Sequence, residues 1–118
     1  MAEGYLTTHV LDTAMGCPAA GLDISLYKID GTEKHLIRRM TTNADGRTDS
    51  PILPKGEMTA SSYELVFAAG AYLRAYGHNT DILFLDDVPV RFGISDPDQH
   101  YHVPLLLSPY SYSTYRGS

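Results

Sequence analysis

Apolar and polar residues alternate along most of this chain with the two-residue period of half-buried β-strands, and a single short window departs from it. In a strand over Leu6–Asp12, Leu6 and Val10 share one face while Thr7, His9 and Leu11 share the other; the run ends at Met15, Gly16, Cys17 and Pro18. Leu22–Ile29 alternates Leu22, Ile24 and Leu26 against Asp23, Ser25 and Tyr27, and closes at the turn pair Asp30 and Gly31. A third strand, Lys34–Thr42, runs into Asn43-Ala-Asp-Gly-Arg47, a loop that delivers Arg47. Strands over Ser62–Ala68, Asp87–Ile94, His100–Leu107 and Tyr110–Arg116 follow, the last two paired across Ser108 and Pro109. Pro89 has no N–H to donate, so it predicts a strand beginning or an edge. The helical window, Ala71–Tyr76 between Gly70 and Gly77, is too short to survive alone and must lean on the sheets.

Seven or eight strands with one helix predict an all-β domain, a two-sheet β-sandwich occupying the whole chain from Met1 to Ser118. The 118 residues are enough to bury a core without staples, and 43% hydrophobic against 19% charged residues is ordinary for a globular protein. A net charge of -5 with nine scattered Lys and Arg argues against nucleic acid. The lone Cys17 makes no internal bridge and suits a reducing compartment. No apolar run reaches membrane-spanning length and the first residues do not read as a signal segment, so the expectation is cytoplasmic, without a membrane partner.

The same parity assigns sides to the reactive residues. Tyr101, Val103, Leu105 and Leu107 alternate against His100 and His102, and Tyr110 and Tyr112 against Ser111, Ser113 and Tyr115. His9, His102 and Tyr115 therefore fall opposite the expected core. Two imidazoles can supply a neutral base and a hydrogen-bond donor near neutral pH, and Arg47 a permanent cation with forked donors. The plainer alternative leaves the histidines solvated and pairs Arg47 with Asp45 or Asp49. His100 and His102 on one strand face would also suit zinc, but no further ligands follow at a characteristic spacing, so no metal is expected. Phosphate-loop and nucleophile-elbow motifs are missing, and Cys17 has no activating neighbour in sequence. The polar end Tyr115-Arg-Gly-Ser118 follows directly on a strand, which points to a placed terminus.

His9-Val-Leu-Asp12 with Gly16-Cys-Pro18, Asn43-Ala-Asp-Gly-Arg47, the stretch from Tyr63 through the helix, His100-Tyr-His-Val-Pro104 to Pro109, and Tyr115-Arg-Gly-Ser118 together resemble the transthyretin family, in its 5-hydroxyisourate hydrolase branch. The resemblance covers nearly the whole chain. It implies a sandwich of two four-stranded sheets assembled as a homotetramer around a solvent channel. It further implies a cofactor-free hydrolase of urate breakdown, opening the cyclic amide of 5-hydroxyisourate. On that resemblance His102 is the expected base and His9 its partner. Arg47 clamps carbonyls and developing charge, Ser118 steadies an imidazole, and Tyr115 and Arg116 wall the substrate ring. The rivals are a transthyretin-like carrier without turnover and an interaction domain with incidental histidines.

Overall fold

The computed structural model describes residues 3–78 and 80–117. Eight strands form two four-stranded sheets: β1 (Tyr5–Asp12), β2 (Cys17–Pro18), β7 (His100–Leu107) and β8 (Tyr112–Thr114) in the order β2-β1-β7-β8, and β3 (Asp23–Asp30), β4 (Glu33–Thr41), β5 (Ser61–Phe67) and β6 (Val88–Ile94) in the order β4-β3-β5-β6. A helix, α1 (Ala69–Ala75), links β5 to β6. The sandwich and its short helix are as the residue pattern predicts.

The core lies between the sheets because each contributes one apolar strand face. Leu6, Val10 and Leu105 are fully buried against a layer that includes Ile24, Leu26, Leu65 and Phe67. Each such side chain contributes ~1.5–3 kcal/mol of burial. A one-residue slip of β1 would turn Leu6 and Val10 out and Thr7 and His9 in, so the core holds the histidine face in register. β1 pairs with β7 in parallel, Tyr5 opposite His100 through Asp12 opposite Leu107, which joins the two ends of the chain side by side.

Three local readings need correction. Cys17 and Pro18, expected as the end of a turn, form β2 opposite Asp12 and Leu11. The Asp12 carboxylate accepts the amides of Ala14 and Met15 and so tightens the hairpin. The helix begins two residues early, at Ala69, where Tyr72 and Leu73 become buried and the Tyr72 hydroxyl donates to Asp12 Oδ2 at 2.8 Å. The last strand is only Tyr112–Thr114, not Tyr110–Arg116. Ser108 Oγ accepts the Ser111 amide and holds residues 108–111 in a turn, while Arg116 leaves the ladder for the ring of Tyr101. Pro89 does sit on an edge strand, β6.

Candidate active site

Parallel pairing puts Thr7 of β1 opposite His102 of β7, with Tyr5 opposite His100. All point away from the core. Thr7 Oγ1 lies 2.6 Å from His100 Nε2 and 2.8 Å from His102 Nδ1, so a single hydroxyl bridges the two imidazoles. The His100 ring is stacked on Tyr5 at 4.2 Å with 10° between planes, which sets its orientation from the other side. Thr7 is β-branched and stiff about χ1, so its oxygen is a fixed point between the rings.

Arg47 reaches the same face from the other sheet's loop. Asn43 Oδ1 accepts the amides of Asp45 and Arg47, and Gly46, at φ +74°, passes beneath β1 with its carbonyl accepting the Val10 amide at 2.8 Å. A Cβ on Gly46 would run into the Val10 carbonyl oxygen. Glycine therefore serves both the left-handed turn and the close crossing. The result is a backbone bridge between Arg47 and His9. Among the described residues the Arg47 side chain forms no ion pair with Asp45 or Asp49, and Asp49 instead accepts from Asn43 Nδ2 at 2.9 Å. Among the described residues its cation has no carboxylate partner.

That cation acts on both rings. Burial pushes the His9 pKa below the usual 6.5 and Arg47 pushes it further, with the Asp45 backbone and carboxylate pulling back. His102 is lowered by burial first, then by Arg47, His100 and His9. Both effects disfavour the imidazolium, so the two rings are neutral proton acceptors at neutral pH.

The chain end closes the site from the β8 side. The Gly117 amide donates to the His102 carbonyl at 2.6 Å, and its α-carbon lies against the imidazole so closely that a Cβ there would stand 2.8 Å from His102 Cδ2. Arg116 donates to Gln99 Oε1 at 2.8 Å with its guanidinium 4.0 Å from the centre of the Tyr101 ring. Tyr115 is 58% exposed, and with Arg116 and Gly117 it borders an open groove of about 750 Å³ that also includes Gln99, His100 and His102. The expected role of Ser118 lies outside the described residues.

The structure thus brings His9, Arg47 and His102 onto one face and sets Tyr115 and Arg116 at the rim of the His102 groove. Sequence reasoning missed Thr7 and His100 as members of the site. Their signal was parity: Thr7 is two residues from His9, and His100 two from His102, on the same faces. Among the described residues no three His, Cys, Asp or Glu side chains gather as a metal site. Neutral imidazoles beside a guanidinium suit proton abstraction from water and stabilisation of an oxyanion, the requirements of amide hydrolysis.

The family model described as HIUase/Transthyretin family matches residues 6–117. A protein of Rhizobium meliloti (strain 1021) named 5-hydroxyisourate hydrolase 2 is 60% identical over 117 residues, 98% of each chain. The crystal structure titled (S)-allantoin synthase superposes with a TM-score of 0.93 at 49% identity, covering 99% of this chain and 44% of that longer one. The transthyretin of Sparus aurata gives 0.84 at 25% identity, covering 95% of each. A sea bream transthyretin solved in complex with thyroxine shares the fold with a TM-score of 0.85 at 25% identity, so fold alone does not separate turnover from binding.

Proposed function

From membership of the HIUase/Transthyretin family, to which this chain belongs, we infer that it is a hydrolase opening the six-membered ring of 5-hydroxyisourate at a cyclic amide C–N bond. The product is 2-oxo-4-hydroxy-4-carboxy-5-ureidoimidazoline, in urate catabolism. The observation that carries the reading is Arg47 on the same face as two imidazoles, lowering the pKa of both after burial does, with no carboxylate paired to it among the described residues. A carrier has no use for a base whose proton affinity is tuned this way.

In the proposed reaction His102 Nε2 takes a proton from water as the oxygen attacks the carbonyl carbon. Arg47 faces the oxygen that becomes negative, and the C–N bond breaks as the leaving nitrogen is protonated. His9 orients the water. Tyr115 and Arg116 border the ring, and the role assigned to Ser118 is to steady an imidazole. No cofactor enters the scheme. A homotetramer whose subunits close the open face is part of this reading, supported by the exposure of Arg47 and of all three β8 residues. So is a cytoplasmic location. Among the described residues no helix is long and apolar enough to cross a membrane.

The test is to mix the protein with freshly prepared 5-hydroxyisourate and follow its ultraviolet absorbance. The wild type accelerates the decay, and His102→Ala and His9→Ala each lose at least about a hundredfold in turnover while folding normally, the usual range for a general base being ~10²–10⁴. Wild-type decay no faster than the spontaneous rate refutes the proposal in favour of a carrier; full activity in both variants refutes the roles of the histidines.

A further inference from the structure

We propose that Thr7 is a positioning residue that fixes the tautomer of His102 and connects it to His100, which holds the abstracted proton between the two halves of the reaction. The inference rests on the hydrolase reading and names two residues that reading does not require. It starts from the hydroxyl that bridges His100 Nε2 and His102 Nδ1. A threonine hydroxyl has one proton, so when it donates to one ring it must accept from the other. The chain runs either from His102 Nδ1–H through Thr7 to His100 Nε2, or in reverse.

Bond lengths choose the direction. A hydroxyl donor makes shorter hydrogen bonds than a ring N–H, and the contact to His100 Nε2 is 2.6 Å against 2.8 Å to His102 Nδ1. The shorter contact points to Thr7 donating to His100 and accepting from His102. The proton of neutral His102 is then on Nδ1, and Nε2 carries the lone pair that a base needs. In the reverse order Nε2–H is blocked as an acceptor.

The same wire moves charge. As water loses a proton to His102 Nε2, the Nδ1 proton passes to Thr7 Oγ1 and the Thr7 proton passes to His100 Nε2. His102 is left neutral and His100 becomes the imidazolium. When the C–N bond breaks, Nε2–H goes to the leaving nitrogen, His100 returns its proton to Thr7, and Thr7 returns one to Nδ1, so all three groups end as they began. The transfer takes positive charge away from Arg47, which docks at His9, four residues along β1 from the Tyr5 level where His100 sits. His100 is half-buried, with its ring centre 6.2 Å from that of His102 and its ring stacked on Tyr5.

Nitrogen NMR of histidine-labelled protein, well above the titration range of the rings, reads the tautomer without substrate: the expected His102 signals are those of Nδ1–H with a bare Nε2. Thr7→Val keeps the shape and removes the hydroxyl; it is expected to lower kcat about ten- to a hundredfold, as loss of a group that orients a histidine typically does, with KM nearly unchanged and the Nε2–H form of His102 gaining. Thr7→Ser restores both readouts. A wild-type spectrum with the proton on His102 Nε2, or an unchanged kcat in folded Thr7→Val, overturns the inference. If Thr7→Val does not fold, the wild-type spectrum and a Thr7→Ser variant that loses as much as His102→Ala still decide against it. A wild type without hydrolase activity refutes the hydrolase reading instead, and the spectrum still settles the tautomer.

Discussion

Replacing Gly117 by alanine adds one methyl group where the chain end crosses His102. The new Cβ would stand 2.8 Å from Cδ2, 3.2 Å from Cβ and 3.3 Å from Cγ of that residue. Carbon atoms pack at ~3.5–4.0 Å, so the contact must open by roughly 0.7 Å. Two relaxations are available. Either the imidazole yields, or the tail lifts and stretches the 2.6 Å bond from the Gly117 amide to the His102 carbonyl. Lifting the tail costs about 1 kcal/mol, the net value of one hydrogen bond, or roughly 3–6 °C in Tm for a domain of this size. Moving the ring costs turnover, because a misplacement of about 1 Å can reduce a rate ~10²-fold. Gly117→Ala is therefore expected to lose between about tenfold and about a hundredfold in kcat. Its circular dichroism should match the wild type and its Tm fall only a few degrees. The assay is the initial rate of absorbance loss from freshly made 5-hydroxyisourate, with thermal melts of the same samples. A variant with wild-type kcat and KM would refute a role for the terminal segment in pressing on the His102 imidazole.

Removing the Arg47 cation by Arg47→Gln takes away a cause that lowers both histidine pKa values, so both must rise. A base must be neutral to act; the acid limb of the kcat profile therefore moves to higher pH, with a fall in kcat of ~10²–10³ at its plateau. A rate profile whose acid limb stays in place or moves down contradicts that sign. Tyr72→Phe deletes the hydrogen bond to Asp12 Oδ2 inside the sandwich, far from the histidine face. Leaving the carboxylate without that donor should cost ~1–3 kcal/mol in denaturant unfolding with kcat unchanged, and wild-type stability would count against the bond's contribution.

Strand parity alone assigned His9 and His102 to the face opposite Leu6, Val10, Tyr101 and Leu105, because side chains alternate however the strands are later arranged. The loop carrying Arg47 was equally readable, since Asn43 and Gly46 are residues with few other uses at a tight turn. Neighbours across strands were not. The bridge from Thr7 to both histidines depends on the register between β1 and β7, more than ninety positions apart in the chain, which long-range packing of the two apolar faces sets. Local periodicity carries no record of it. The terminal segment divides the same way: its polar composition marked it as placed. Only the packed sheets decide that Gly117 lies against His102 while Arg116 turns to the Tyr101 ring, because a tail takes the direction of the surface it meets.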